Sequence, residues 1–129
     1  MDSDKLIIEN FIKEVCELFP AVAEAIDKRM ERLGDGAQDV MYTERMEAFS
    51  QSTTNAIKIF DDRTVVAHFD YISNKLKTAS KVEANYIDVY YIEPLMWDIK
   101  DKNTKKWGWS RLPTNLRGLY RKMWGEPDV

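Results

Sequence analysis

The run at residues 85–97, NYIDVYYIEPLMW, constrains the fold more than any other part of the chain, because it is the most apolar and aromatic stretch. It contains three tyrosines, one tryptophan, two isoleucines, a valine, a leucine and a methionine. A segment that is apolar on nearly every side is typical of an element buried on most sides. We therefore expect this run to cross the centre of the core.

The secondary structure of this run is ambiguous from its pattern alone. Residues 86–93 place several side chains on one helical face, yet YIDVYYI is also rich in residues that favour strands. Three features favour a helix. Ser80 and Glu83 have the spacing of a capping box, no other segment offers a partner strand, and Pro94 ends the run as it would end a helix.

The rest of the chain shows helical periodicity with recognisable start and stop signals. Pro20 suits the first position of a second helix, and Gly34 follows that helix as a C-cap. A third helix is predicted to begin between residues 38 and 43. Its polar middle, residues 50–54, is poor in helix formers, which makes a break there possible. Asp61 or Asp62 is predicted to cap a fourth helix.

After Trp97 the pattern changes. Residues 98–111, DIKDKNTKKWGWSR, are predicted to form a polar, lysine-rich loop. Pro113 then opens a final helix. The predicted fold is all-α, a compact bundle of about six helices with a mostly buried central helix near residues 81–93. Its length fits a single domain spanning residues 1–129.

Charge divides the chain into two unlike halves. Residues 1–62 contain fourteen acids and seven bases, whereas residues 63–129 contain eight acids and twelve bases, within a net charge of −3. An acidic half suits a basic partner and a basic half suits an anionic one.

Several classes of protein are not expected. The N-terminus lacks the basic region of a signal peptide, and no apolar run approaches the ~20 residues of a membrane span. The single cysteine, Cys16, favours a reducing compartment, so the expected location is the cytoplasm. Cys16 is predicted to be a small core-edge hydrophobe. His68 is predicted to pack at a core edge or face solvent rather than bind metal, so no metal and no cofactor are expected.

Catalysis is likewise not predicted. Glu44 and Glu47 can share a helical face, but nothing around them in sequence indicates the desolvation that general acid–base chemistry requires. A solvated face is the simpler interpretation of this pair. The glycines at residues 34–36 lack the spacing of a phosphate-binding loop. We therefore predict a protein that is not an enzyme.

The segment at residues 100–124 supports an alternative function. Residues 100–122 hold eight bases and one acid, with aromatic residues among them. Such a composition can bind single-stranded nucleic acid through phosphate contacts and base stacking. The alternative is therefore a nucleic-acid-binding or regulatory module, although an overall pI of 5.2 makes nucleic acid an unlikely partner. The predicted anion-binding residues are Lys102, Lys105, Lys106, Trp107, Trp109 and Arg111.

Two places in the chain resemble a known kind of family. One is ELFP at residues 17–20, at the junction of two amphipathic helices before an acidic linker. The other is NYI at residues 85–87 with YIE at residues 91–93, followed by Leu116 in the terminal helix. Together they resemble an uncharacterised family of small, acidic, all-helical bacterial proteins. The resemblance implies that the chain could be an immunity or antitoxin protein, because some members of such families act beside secreted toxins.

The leading prediction is a non-enzymatic inhibitor that binds a protein. Toxins that cleave nucleic acid tend to have basic clefts, and a small acidic protein can occlude such a cleft with fast, charge-steered association. The expected partner is a cognate toxin domain, and no membrane contact is expected. The same charges would also serve simply as a solubilising surface. The predicted partner-binding residues are Asp35, Asp39, Glu44, Glu47, Asp61 and Asp62.

Overall fold

The computed structural model describes residues 2–34 and 42–126, with Asp2 described by its backbone alone. Within these residues the chain forms seven α-helices and one π-helix, and no strand. This confirms the predicted all-α class and the helical form of residues 86–92. The helices are α1 (Asp2–Leu18), α2 (Pro20–Leu33), α3 (Tyr42–Lys58), α4 (Asp62–Lys77), α5 (Lys81–Tyr86), the π-helix (Ile87–Ile92), α6 (Lys102–Arg111) and α7 (Thr114–Trp124).

The predicted helix ends follow local chemistry. Pro20 occupies the first turn of α2, and Gly34 ends that helix with a φ of 92°, a left-handed conformation that suits glycine. The Asp61 side chain accepts a hydrogen bond from the backbone N–H of Thr64 at the start of α4. Ser80 and Glu83 form the predicted capping box, each side chain accepting from the other residue's backbone N–H. These boundaries are set by residues close in sequence, which is why they could be predicted.

The prediction of a polar loop at residues 98–111 is wrong, because Lys102–Arg111 forms α6. Asp101 caps this helix, accepting hydrogen bonds from the Thr104 backbone N–H at 2.8 Å and from its hydroxyl at 2.7 Å. The segment lacks a clear apolar stripe and contains Gly108, so its pattern does not predict a helix. Gly108 is buried, and a Cβ atom there would lie 2.7 Å from Met96 Sδ and 3.0 Å from Ile57 Cγ2. Close packing on Met96 and Ile57 therefore holds α6 in place.

The central segment consists of α5 followed directly by the π-helix. The backbone N–H of Glu93 donates to the carbonyl of Asp88, five residues earlier, at 3.0 Å. Ile87, Tyr91 and Ile92 of the π-helix are fully buried, whereas α5 has no fully buried residue. The buried centre of the predicted helix is thus the π-helix, and a π-turn often marks a functional region of a helix.

Helix α3 supplies hydroxyl groups that hold this irregular segment. Ser50 Oγ donates to the carbonyl oxygen of Tyr91 at 2.6 Å, and the backbone N–H of Met96 donates to Thr54 Oγ1 at 3.0 Å. Thr53 Oγ1 lies 2.7 Å from the Tyr91 hydroxyl. The polar middle of α3 therefore does not break the helix. It provides hydrogen-bond partners for backbone groups that the π-helix and the following turn leave unpaired.

His68 completes this buried network. Its Nδ1 lies 2.8 Å from Thr53 Oγ1, and its ring packs edge-on against Phe19 and Phe49, with ring centres 4.7 Å and 5.0 Å away. Burial lowers the pKa of His68 to about 4, so the imidazole is neutral at pH 7. His68 is thus packed inside the core, rather than at its edge or facing solvent as predicted.

Candidate functional site

The candidate site centres on Trp97, which follows an unusual turn. Met96 has a φ of 62°, a left-handed conformation that is uncommon for any residue except glycine. Leu95 and Met96 are buried, while Trp97 is 65% exposed. The Trp97 indole N–H donates to Gln51 Oε1 at 2.8 Å. This turn therefore buries two apolar side chains and holds a large aromatic ring on the surface.

Two small cavities border Trp97. One has a volume of about 260 Å³ and is lined by Arg29, Glu47, Gln51, Pro94 and Trp97. The other has a volume of about 150 Å³ and is lined by Leu95, Met96, Trp97, Lys105, Tyr120, Trp124 and Gly125.

The second cavity presents another exposed tryptophan. Trp124 is 56% exposed, and its indole N–H donates to the carbonyl oxygen of Glu93 at 2.8 Å. Each exposed indole is thus held by a hydrogen bond to a different element, and the two rings line one concave surface.

The carboxylates beside Trp97 are not fully solvated, in contrast to the simpler interpretation of the sequence. Burial raises the pKa of Glu47, with further contributions from a hydrogen bond to Glu44 and from the charges of Glu44 and Glu93. Arg29 offsets part of this charge, with Nη1 3.7 Å from Glu44 Oε1. The arrangement concentrates negative charge beside an exposed aromatic ring.

The other predicted partner-binding residues lie elsewhere. Asp61 is the cap of α4, and Asp62 pairs with Arg111 at 2.9 Å. These two aspartates lie beyond the C-terminal end of α3, whereas Glu44 and Glu47 lie in its first two turns. About 16 Å of helix separates Glu47 from the end of α3, at 1.5 Å per residue. Asp35 and Asp39 fall outside the described residues.

The predicted anion-binding residues are carried by α6, with their aromatic rings packed against the protein. Trp107 has Phe60 against its ring, with centres 5.3 Å apart, and the Arg111 guanidinium over it at 4.3 Å. Trp109 packs against Tyr120 at 5.9 Å between ring centres. The guanidinium groups of Arg117 and Arg121 also lie 5.2 Å and 5.6 Å from the Trp109 ring.

The burial of the α6 side chains varies little between its cations and its indole rings, since Trp107 and Trp109 are half-buried. Lys102 is exposed, while Lys105 and Lys106 are half-buried. Stacking on bases requires accessible ring faces, which Trp107 and Trp109 offer only in part. Lys105 also lines the Trp124 cavity, so this one lysine connects the predicted anion-binding residues with the surface at Trp97 and Trp124.

Comparison with known proteins places the chain in a family. The family DUF7674, described as a domain of unknown function, matches residues 12–125. The chain belongs to this family. No curated protein and no solved structure matches it.

The described part of this DUF7674 member contains no group of three or more His, Cys, Asp or Glu side chains able to hold a metal ion. None of its described helices is long and apolar enough to cross a membrane. Trp97 and Trp124 are both more than half exposed and line one cavity of the described residues.

Sequence reasoning missed Trp97, Trp124 and Gln51 as site residues of this DUF7674 member. Trp97 ends an apolar run whose other members are mostly inside, so its pattern predicts burial. The left-handed conformation of Met96 redirects the chain, and such a conformation at a non-glycine residue has no dependable sequence signal. Gln51 belongs to a polar stretch, and only the fold shows which of those polar residues reach the surface.

Proposed function

We propose that this chain is a non-enzymatic protein-binding domain whose contact surface centres on Trp97. The observation that carries the proposal is an exposed, hydrogen-bonded tryptophan beside carboxylates whose charge Arg29 offsets only in part. Tryptophan is enriched among the residues that dominate binding energy at protein interfaces. Because Gln51 already fixes the Trp97 ring, less side-chain entropy is lost when a partner covers it.

The charge beside Trp97 favours a basic partner. Glu44, Glu47 and Glu93 are close enough for their charges to interact, and the pKa of Glu47 is raised. A lysine or arginine of a partner placed among them would relieve this repulsion and would favour the ionised form of Glu47. Affinity for such a partner should rise as the pH increases through the raised pKa of Glu47.

More specifically, we propose an immunity protein that acts in the bacterial cytoplasm and neutralises a cognate toxin by covering its basic active site. The sequence resemblance and the acidic N-terminal half support this form of the proposal. Inhibition by occlusion requires no catalytic residues, cofactor or membrane contact. The surface at Glu44, Glu47 and Trp97 would provide the contact, with Asp35 and Asp39 as further candidates nearby in sequence.

Affinity purification from the source organism at low salt tests the proposal, followed by binding measurements on the purified partner. We expect a basic protein whose affinity falls at least tenfold for Trp97→Ala and for the double variant Glu44→Lys, Glu47→Lys. Ile59→Ala and Asp62→Lys, at the far end of α3, are matched controls and should bind normally. Equal loss in the controls would overturn the surface assignment.

A toxicity assay tests the proposal that the partner is a toxin. The partner's toxicity to cells should be suppressed by coexpression of this chain and restored when Trp97→Ala is coexpressed instead. A partner that binds through Trp97 but has no toxic activity would retain the protein-binding proposal and refute the immunity function.

A further inference from the structure

A separate cleft lies between α2 and α3, and two polar stripes line it. The cleft has a volume of about 500 Å³, within the range of small-molecule sites. Apart from Glu31, the lining residues of each helix follow the spacing i, i+3, i+4, i+7, which marks one helical face. The stripes are Ala25, Lys28, Arg29 and Arg32 on α2, and Ala48, Gln51, Ser52 and Asn55 on α3.

Such facing stripes are usually apolar in a helix pair. The core face of α2 has that form, with Val22, Ile26 and Met30 buried. The stripes at the cleft instead have an alanine at one end and polar residues along the remainder. Lys28, Arg32 and Asn55 are exposed, so this face of the helix pair is open to solvent.

The α2 wall is strongly basic within an acidic half of the chain. Lys28, Arg29 and Arg32 lie within five consecutive residues, and Glu31 is the one acid among the described lining residues. Lys28 pairs with Glu24 at 3.2 Å, but both side chains are about 70% exposed. Exposed ion pairs of this kind contribute little to stability, so an incoming anion can replace Glu24 readily.

The α3 wall supplies neutral hydrogen-bonding groups. Gln51 Nε2 donates to Asn55 Oδ1 at 2.9 Å, which leaves the Asn55 amide nitrogen as a donor. The Ser52 hydroxyl lies on the same wall. Gln51 is also the residue that holds Trp97, and Arg29 lines both the cleft and the cavity beside Trp97. The cleft and the aromatic surface therefore share two side chains.

We propose that this cleft binds a small molecule through a phosphate group. The Arg32 guanidinium and the Lys28 ammonium group on one wall match the multiple oxygens and the double charge of a phosphate, since arginine can bind such groups through paired hydrogen bonds. Arg29 adds positive charge to this wall, although its Nη1 already lies 3.3 Å from the Glu44 carbonyl oxygen and 3.7 Å from Glu44 Oε1. Ser52 and Asn55 on the opposite wall then donate to the remaining oxygens or to the rest of the molecule. This inference is independent of the protein-binding function proposed for Trp97.

Titration of the ¹⁵N-labelled full chain with inorganic pyrophosphate at constant ionic strength tests the inference. We expect saturable amide shifts in α2 and in residues 51–55 of α3. Arg32→Gln should weaken the binding at least tenfold, and Arg32→Lys, which keeps the charge but loses the planar donor pair, should have a smaller effect. Arg63→Gln on α4, an exposed arginine outside the cleft lining, is the matched control and should bind as the unmodified chain does.

Three outcomes would overturn the inference. One is a linear response without saturation at millimolar pyrophosphate. Another is equal weakening by Arg32→Gln and Arg63→Gln, which would show general attraction to positive charge. The third is binding of citrate as tightly as pyrophosphate, which would assign the cleft to carboxylates. Thermal unfolding of each variant verifies that the fold is retained, as expected for the exposed Arg32.

Discussion

The two polar faces of α3 lie in opposite environments, one buried and one accessible. The run SQSTTN at residues 50–55 places Ser50, Thr53 and Thr54 toward the π-helix, where all three are fully buried. Ser52 and Asn55 of the same run line the cleft toward α2. On the buried face every hydroxyl has a hydrogen-bond partner within the protein. On the cleft face the polar groups are accessible to water or to a ligand.

The buried face of α3 therefore belongs to the scaffold, and the face that lines the cleft belongs to the candidate site. A buried polar group without a partner is costly, so buried hydroxyls are usually committed to specific contacts. An accessible polar group has no such requirement and remains available for recognition. The contrast predicts large effects on stability from the buried face and small ones from the cleft face.

The largest expected effect is the loss of folding stability at acidic pH that follows from the burial of His68. The pKa of His68 falls from 6.5 to about 4 on folding, so the unfolded chain takes up a proton at higher pH than the folded chain does. Stability from this group is therefore complete above pH 6.5 and decreases as the pH falls toward 4. The loss amounts to about 3 kcal/mol at 1.36 kcal/mol per pKa unit.

Urea unfolding of the unmodified chain and of His68→Asn across pH 4 to 7 measures this loss. The carboxylates titrate in both proteins, so the difference between the two curves isolates the histidine. The free energy of unfolding should depend less steeply on pH in His68→Asn. Parallel curves would show that His68 is not a buried neutral group.

A smaller effect is expected at Thr54. Thr54→Val keeps the shape of the side chain but leaves the buried backbone N–H of Met96 without its acceptor, a loss of about 2 kcal/mol. Thr54→Ser retains the hydroxyl and should lose less. Chemical denaturation gives both values, and the indole N–H resonance of Trp97 should shift in the valine variant alone. Equal stability of the two variants would remove the role assigned to Thr54.

Two glycines differ in the space that surrounds them, and the same substitution should therefore have opposite effects at the two positions. Gly108→Ala introduces a Cβ 2.7 Å from Met96 Sδ, and overpacking should destabilise the protein by about 1–2 kcal/mol. Gly118→Ala, in α7, has no atom within 4 Å of the new Cβ and should stabilise the helix by roughly 0.5–1 kcal/mol. Midpoints of thermal unfolding should therefore move in opposite directions, and a shared direction would contradict the packing of α6.

The smallest effect is expected on the cleft face. Ser52→Ala removes a hydroxyl that makes no hydrogen bond within the described residues, so stability should change by less than about 0.5 kcal/mol. Ser50→Ala, its matched partner on the buried face, leaves the Tyr91 carbonyl without its donor and should cost about 1–2 kcal/mol. Similar values from equilibrium unfolding would remove the distinction between the two faces.

Local sequence was sufficient for much of the fold. The class, the capping of α4 and α5 and the start of α2 follow from residues within one helical turn, because capping chemistry is local. Helix α6 was missed because its stability depends on Gly108 packing against Met96 and Ile57, which are distant in sequence. Of the predicted site residues, Glu47 lines a cavity with Trp97 and Glu44 precedes Glu47 by one helical turn, whereas the surface role of Trp97 itself was not predicted.

The run at residues 85–97 shows which features depend on local sequence and which depend on the tertiary structure. Its sequence alone determined that it would be helical and central, since its apolar surface requires burial and its capping box requires a helix start. Only the tertiary structure decided that the helix continues as a π-helix and ends in a left-handed turn. Hydroxyl groups of α3, more than thirty residues earlier, stabilise that geometry. Which face of α3 supplies them, and which forms a cleft, depends on packing that no local pattern encodes.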